Sequence, residues 1–254
     1  SPPTDITDSS MLLTIRTILV LTYFFSVALL GSCICLFRPF NPDNTRICGR
    51  LFSWGALKLL GVKMTIENKE LLDNMPPSVV IANHQSNLDL FVHGGVIPKR
   101  CVSVGKKSLK YLPLFGQVYW LAGNIMIDRS KSRESINTMA ETTEALKHNN
   151  TSIWVFAEGT RNGGNDLLPF KKGAFHMAQQ ASAPIVPICA SAYPKHINLN
   201  KWHAGEVIVR ILPPIDTHMA EDKDLGTLLE DAHSQMKATI DELNQKVKNR
   251  SDRK

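Results

Sequence analysis

After residue 61 the chain alternates short apolar runs, rich in β-branched residues, with longer stretches whose apolar positions follow helical spacing. Runs of the first kind predict buried strands, and stretches of the second kind predict amphipathic helices. Such alternation indicates an α/β fold in which helices flank a mixed, largely parallel sheet. The predicted strands cover residues 62–66, 79–82, 101–104, 125–127, 153–156, 185–189 and 207–211. The predicted helices cover residues 87–94, 114–122, 133–148, 173–181 and 225–247.

The N-terminal part follows a different pattern. Residues 18–37 are uncharged and mostly apolar, and about 20 such residues are enough for a helix to reach across a hydrocarbon core. Residues 46–61 carry apolar side chains at helical spacing among basic ones. This fits an amphipathic helix in the membrane interface and, equally, a helix packed on a protein core. The helices are predicted to span the bilayer or to dip into one leaflet as a hairpin. Three parts are therefore predicted: a disordered tail or expression remnant at 1–10, membrane-anchoring helices at 11–61 and an α/β domain at 62–254.

Basic residues flank the apolar segment unequally. Arg16 precedes it, whereas Arg38, Arg46, Arg50, Lys58 and Lys63 follow it. Because basic residues favour the cytoplasmic side, the larger domain is predicted to face the cytoplasm. A secretory signal is the alternative, since Leu30-Gly31-Ser32-Cys33 resembles a lipoprotein cleavage site. That alternative would place the domain outside the cytoplasm.

The composition narrows the classes of protein and partner. A chain of 254 residues that is 43% hydrophobic can bury one sizeable core. The net charge of +6 is dispersed and no DNA-binding motif accompanies it, so nucleic acid is not predicted as a partner, whereas an anionic membrane surface is compatible. The five cysteines lack the spacing of a metal site, so we predict free thiols and no bound metal.

One polar stretch follows directly from a predicted strand. Residues 79–89 read Val-Val-Ile-Ala-Asn-His-Gln-Ser-Asn-Leu-Asp, so a buried strand delivers His84 to the edge of the sheet. Ligands and chemistry in open α/β sheets lie beyond the carboxyl ends of strands, which makes His84 a candidate base and Asp89 its orienting carboxylate. The alternative is structural: Asn87 or Asp89 caps a helix, and His84 is merely satisfied in a turn.

The predicted strand at residues 153–156 is also followed by polar residues. It is followed by Ala157-Glu158-Gly159-Thr160-Arg161 and then by the turn-rich residues 162–165. Two further blocks complete the pattern: Gly105-Lys106-Lys107-Ser108-Leu109 with Pro113, Gly116 and Arg129, and Pro184-Ile185-Val186-Pro187-Ile188.

These four blocks, in this order, resemble the lysophospholipid and glycerolipid acyltransferase family with its HxxxxD motif, and within it the bacterial 1-acylglycerol-3-phosphate acyltransferases. The resemblance extends from Met11 to about Asn249. One departure is visible at Ala157, where the family usually has proline, and it concerns the rigidity of the loop.

The resemblance implies transfer of a fatty acyl group from acyl-CoA or acyl carrier protein to the sn-2 hydroxyl of lysophosphatidic acid, which forms phosphatidic acid at the bacterial inner membrane. The donor is a substrate, and no cofactor is implied. An alcohol attacks a thioester only once a base takes its proton, and a neutral histidine oriented by a carboxylate suits that task. The chain has no Gly-x-Ser-x-Gly motif, so direct attack by the alcohol is predicted rather than a covalent serine intermediate.

A phosphate-bearing acceptor needs cationic donors of fixed geometry, which arginine provides. Arg161, beside Gly159 and Thr160, is the first candidate, and the alternative is that it pairs with Asp166 or Glu158. The remaining predicted substrate-binding residues are Arg129, Lys106, Lys171 and Glu158, the last as a brace of the loop or a contact to the glycerol hydroxyl. Two other functions stay open: acylation of glycerol-3-phosphate or another lysophospholipid, and non-catalytic lipid binding at the membrane.

Overall fold

The computed structural model of the protein describes residues 6–128, 132–218 and 224–253. The strands are β1 (Val62–Glu67), β2 (Val79–Ala82), β3 (Cys101–Lys106), β4 (Ile125–Ile127), β5 (Ser152–Phe156), β6 (Ile185–Ala190) and β7 (Gly205–Ile211). The helices are α1 (Ile6–Phe37), α2 (Asp43–Leu60), α3 (Asp89–Gly94), α4 (Phe115–Leu121), α5 (Ser132–His148), α6 (Gly173–Gln180) and α7 (Leu225–Ser251).

These seven strands form one sheet in the order β1-β7-β6-β2-β5-β3-β4. All neighbouring pairs are parallel apart from β6 and β7. The predicted mixed, largely parallel sheet is therefore confirmed, and each predicted strand is present. Helix α1 begins at Ile6, inside the segment predicted as a tail, and residues 1–5 lie outside the described part of the chain.

Side chains of β2 alternate between two apolar layers, as the pleat of a strand requires. Val80 and Ala82 belong to the layer shared with α1, α2, α3 and α4. Val79 and Ile81 belong to the layer shared with α5, α6 and α7. All four residues are completely buried, so β2 is a rigid central strand and fixes where the residues after Ala82 emerge.

Helix α1 differs from the others because most of its apolar surface is exposed. Its segment Met11–Phe37 is long and apolar enough to cross a membrane, and no other helix within the described residues meets that condition. Arg16 is an exception to this exposure, since it is buried and its guanidinium donates to the carbonyls of Leu199, Lys201 and Trp202. These bonds attach α1 to the loop that precedes β7.

Helix α2 packs on the protein core, which is the alternative left open by its sequence pattern. Phe52, Leu57 and Leu60 are buried in the layer beneath α1. Trp54, another apolar residue of the same helix, is instead 66% exposed. The apolar residues of α2 thus do not form a single face toward the membrane.

Candidate active site

The carboxyl ends of β2, β5 and β6 lie side by side at one edge of the sheet. Ala82, the last residue of β2, pairs with Phe156 of β5 on one side and with Ile188 of β6 on the other. Because these strands are parallel, the loops that follow them emerge next to each other. The stretch with His84 and the stretch with Glu158 are therefore brought together.

His84 and Asp89 form a hydrogen-bonded pair at this edge. Nδ1 of His84 lies 2.6 Å from Oδ2 of Asp89. The carboxylate is almost fully buried, at 3% exposure, whereas the imidazole is 23% exposed. The ring also stacks on Phe156, with centroids 4.0 Å apart and planes inclined by 15°. The imidazole is thus held by a carboxylate at one edge and an aromatic face, and it remains accessible from solvent.

Asp89 is hydrogen-bonded to the histidine ring and does not cap α3. Its Oδ2 also accepts the backbone N–H groups of Gln85, at 2.6 Å, and Ser86, at 3.3 Å, which lie before the helix. Its Oδ1 accepts the hydroxyl of Tyr193 at 2.5 Å. The residue at the capping position is Leu88, and Asn87 contacts Arg161 instead. The alternative prediction, that Asn87 or Asp89 caps this helix, is therefore wrong.

These contacts determine the protonation state of Asp89. Burial by itself raises the pKa of Asp89, but the hydrogen bond from His84, the attraction of His93 and the hydroxyl of Tyr193 outweigh it and hold that pKa below its usual value. Ionised Asp89 therefore stabilises the fold above the pKa of an unfolded aspartate, and this contribution is lost as the pH falls through the lower folded value. Since an ionised carboxylate only accepts hydrogen bonds, Nδ1 of His84 carries a proton, and in the neutral form of the ring the lone pair is on Nε2.

Glu158 is the second buried carboxylate of the site, and it acts as a brace. Its Oε1 accepts the backbone N–H of His84 at 2.8 Å, and its Oε2 accepts the N–H of Leu168 and the side-chain amide of Asn162, each at 2.9 Å. Burial raises the pKa of Glu158, while these three hydrogen bonds oppose that effect. The carboxylate binds the backbone beside the imidazole rather than the imidazole itself.

Backbone hydrogen bonds join the same two loops directly. The N–H of Asn162 donates to the carbonyl of His84 at 2.8 Å, and the N–H of Gly163 donates to that of Gln85 at 3.0 Å. Gly159 permits a sharp turn at the start of the loop after β5, since its φ of 73° lies in the left-handed region that favours glycine. The loop after β5 therefore fixes the position of the loop that carries the histidine.

Arg161 and Thr160 extend from this turn into solvent. The guanidinium Nη1 of Arg161 donates to Oδ1 of Asn87 at 2.5 Å. Asn87 belongs to the same loop as His84, so the guanidinium lies over the predicted catalytic loop. Within the described residues Arg161 forms no ion pair with Asp166 or Glu158, so the structural alternative proposed for it is wrong.

The other predicted substrate-binding residues lie at different distances from the pair. Lys171 is exposed, and its backbone N–H donates to the carbonyl of Ala157, next to Glu158. Lys106 is exposed at the end of β3, on the same edge of the sheet but separated from β2 by β5. Arg129 lies outside the described residues.

Comparison with known proteins places this geometry in a family. The sequence model of the family described as "Acyltransferase" matches residues 63–191, just over half of the chain. That match includes His84, Asp89 and the residues from Glu158 to Arg161. The chain belongs to the acyltransferase family.

Curated relatives within this acyltransferase family are similar over most of the chain. The 1-acyl-sn-glycerol-3-phosphate acyltransferase of Escherichia coli (strain K12) is 40% identical over 240 residues, which are 94% of this chain and 98% of the relative. The enzyme of that name from Haemophilus influenzae is 39% identical over 238 residues, or 93% and 98% of the two chains. The resemblance found in the sequence is confirmed.

A solved structure shares the fold. The crystal structure of the 1-acyl-sn-glycerophosphate (LPA) acyltransferase PlsC from Thermotoga maritima superposes with a TM-score of 0.71 over 91% of this chain and 97% of that one. The two sequences are 22% identical, so this likeness supports the architecture alone.

Sequence reasoning missed the polar residues that hold the acyltransferase loops in place. Asn83 exchanges two hydrogen bonds, each 2.9 Å long, with the backbone of Ala190, the last residue of β6. Gln85 donates to the carbonyl of Ser191 at 3.0 Å. Asn83 and Gln85 flank His84 in the motif, so their position was visible, but their partners are more than 100 residues away in the chain and become neighbours only in the folded sheet.

Glu158→Gln is expected to destabilise the loop that carries His84. An amide offers one acceptor and one donor group, so at least one donor that now faces the carboxylate loses its acceptor, at a cost of about 1 to 3 kcal/mol. We expect a lower midpoint of thermal unfolding in detergent and a reduced kcat. The matched control is Glu230→Gln on the exposed surface of α7, which should change neither. Unaltered stability and turnover in Glu158→Gln would show that Glu158 is not a brace.

Proposed function

We propose that this protein transfers a fatty acyl group from the thioester of acyl-CoA or acyl carrier protein to the sn-2 hydroxyl of 1-acyl-glycerol-3-phosphate, which yields phosphatidic acid. The names of the curated relatives at 39–40% identity support this reaction. The observation that carries the catalytic part of the proposal is the 2.6 Å contact between Nδ1 of His84 and buried Asp89. Because Nδ1 faces Asp89, Nε2 at the other side of the neutral ring can take a proton from a substrate.

His84 acts as a general base in this mechanism. Nε2 takes the proton of the acceptor hydroxyl as the hydroxyl oxygen forms a bond to the thioester carbonyl carbon. The resulting tetrahedral intermediate collapses, the C–S bond breaks with its electron pair on sulfur, and the imidazolium returns its proton to the thiolate. Thiols have a pKa of about 8.5, so a thiolate leaves readily and needs little assistance from an acid.

Asp89 contributes by stabilising the imidazolium that forms on His84. A carboxylate fixed at Nδ1 holds the ring in one orientation and lowers the energy of the positive charge. The carboxylate needs to be ionised for this, which agrees with the lowered pKa of Asp89. No covalent intermediate with the protein is required, because the acceptor alcohol is the nucleophile.

The acceptor phosphate is assigned to Arg161. Its guanidinium is exposed and its contact with Asn87 leaves further N–H groups for a phosphate, which arginine binds through two parallel hydrogen bonds. Gly159 and Thr160 would allow the phosphate to approach the backbone. Lys171 follows the same loop, and Lys106 lies on the same edge of the sheet. These two lysines and Arg129 remain secondary candidates.

The protein is proposed to work at the bacterial inner membrane, with the α/β domain in the cytoplasm. The apolar segment Met11–Phe37, which contains Arg16 as its one charged residue, provides a membrane-binding surface. Most of the neighbouring basic residues follow the segment. Attachment to the bilayer would bring the active-site edge to an acceptor that is itself a lipid.

Replacement of His84 by Ala should lower the rate of acyl transfer roughly 10²- to 10⁴-fold, the range of general-base catalysis. Asp89→Asn should cost a comparable amount, because an amide cannot stabilise the imidazolium and disturbs the tautomer. The measurement is phosphatidic acid formed from lysophosphatidic acid and acyl-CoA in mixed micelles, with folding checked by circular dichroism.

The matched control is His176→Ala, since His176 is an exposed histidine of α6 and should leave turnover intact. A folded His84→Ala protein that keeps more than about 1% of the activity would remove His84 as the base. Unmodified protein that binds lysophosphatidic acid but transfers no acyl group would instead indicate a carrier function without catalysis.

Arg161→Ala should weaken the use of lysophosphatidic acid about 10- to 150-fold, mainly through KM, because charge-assisted hydrogen bonds contribute about 1.5 to 3 kcal/mol. A neutral monoacylglycerol of equal chain length should lose little, since it never used the guanidinium. Steady-state constants for both acceptors and for the donor test this. Arg253→Ala, an exposed arginine at the end of the chain, is the control. Equal losses on both acceptors would move the phosphate site to Lys106, Lys171 or Arg129.

A further inference from the structure

Tyr193 is a buried tyrosine with an unusual pair of partners. The residue is completely buried, and its hydroxyl lies 2.5 Å from Oδ1 of Asp89 and 2.9 Å from Oγ of Ser86. It belongs to the loop after β6, beyond the segment 63–191 that matches the family. Neither the motif nor the family match therefore includes it.

We propose that Tyr193 is a positioning residue that fixes the orientation and charge distribution of the Asp89 carboxylate. The inference rests on the proposed function, in which Asp89 acts on His84. Tyr193 does not contact the reacting atoms, and its effect on the reaction passes through Asp89.

The hydrogen bonds of Asp89 are distributed unevenly between its two oxygens. Oδ2 receives His84 and two backbone N–H groups. Oδ1 receives Tyr193 as its one hydrogen bond among the described residues. Nε2 of His93 is 4.0 Å from Oδ1, too far for a hydrogen bond, and lies 3.0 Å from the carbonyl oxygen of Asn83. Without the tyrosine hydroxyl, Oδ1 would be a buried anionic oxygen without a donor, which is costly.

The direction of the hydroxyl hydrogens follows from the neighbouring groups. Oγ of Ser86 accepts the N–H of Leu88 at 3.1 Å. Ionised Asp89 can only accept, so the proton of Tyr193 points toward Oδ1. Ser86 is then the donor to the oxygen of Tyr193. The order Ser86 to Tyr193 to Asp89 polarises the tyrosine and strengthens its bond to the carboxylate.

A donor on Oδ1 draws negative charge away from Oδ2, where His84 is bound. Its removal would concentrate charge on Oδ2 and favour the imidazolium form, so the acidic limb of the pH profile should move to higher pH. The same removal frees the carboxylate to rotate and misaligns the imidazole. The titratable groups around this carboxylate are His84, His93 of α3, Tyr193 and, beyond the histidine backbone, Glu158.

The test is Tyr193→Phe in the full-length protein, which removes the hydroxyl without removing the ring. We expect kcat to fall roughly tenfold, the loss of one hydrogen bond to a charged group, with the KM values for acceptor and donor nearly unchanged. The acidic limb of the profile of kcat against pH should move to higher pH.

A second variant isolates the route through Asp89. In the background of Asp89→Asn, the additional change Tyr193→Phe should cost no further activity, because coupled residues are not additive. The matched control is Tyr119→Phe, which removes a tyrosine hydroxyl bonded to Ser103 at 2.7 Å. It should leave kcat and the pH profile unchanged.

An unchanged kcat or an unmoved acidic limb in Tyr193→Phe would overturn the proposal, as would a full additive loss in the Asp89→Asn background. A fall in thermal stability alone would mean a purely structural role. Failure of the proposed function looks different, because His84→Ala would then remain active. An inactive His84→Ala protein together with a fully active Tyr193→Phe protein refutes only the role of Tyr193.

Discussion

The site depends on one buried negative charge. Asp89 is 3% exposed yet ionised, and a buried carboxylate without partners would cost several kcal/mol in desolvation. Four donors offset this cost: His84, the N–H groups of Gln85 and Ser86, and the hydroxyl of Tyr193. They come from the loop after β2 and the loop after β6. The charge is therefore stable only when two separate segments of the chain have assembled around it.

The parallel sheet makes this assembly possible. Because β5 and β6 flank β2, their loops meet the histidine loop from both sides, and each is attached to it by hydrogen bonds. Glu158 binds the histidine backbone from the side of β5, and Asn83 binds Ala190 on the side of β6. The two buried carboxylates thus divide the work: one acts on the imidazole ring and the other holds the backbone that carries it.

Much of this could be predicted from sequence because it is local. Apolar runs locate the strands, and the spacing of His84 and Asp89 places both within the short segment that leads from β2 into the first turn of α3. Contacts between distant segments could not be predicted: nothing in the local pattern around Tyr193 indicates that its hydroxyl reaches Asp89, 104 residues away. The partner of Arg161 could not be predicted for the same reason, because it is Asn87, 74 residues away, rather than a nearby acid. Periodicity on α2 likewise identified apolar positions without showing which of them face the core.

The central claim is that buried Asp89 holds neutral His84 with the proton on Nδ1 and the lone pair on Nε2. The direct measurement is ¹⁵N NMR of the imidazole nitrogens in detergent-solubilised protein labelled at histidine, with the signals of His84 assigned by their loss in His84→Ala. For the neutral form of the ring, the account predicts a protonated Nδ1 and an unprotonated Nε2, whereas Asp89→Asn should lose this preference. A His84 ring that carries its proton on Nε2, or that is unaffected by the Asp89 substitution, would contradict the account.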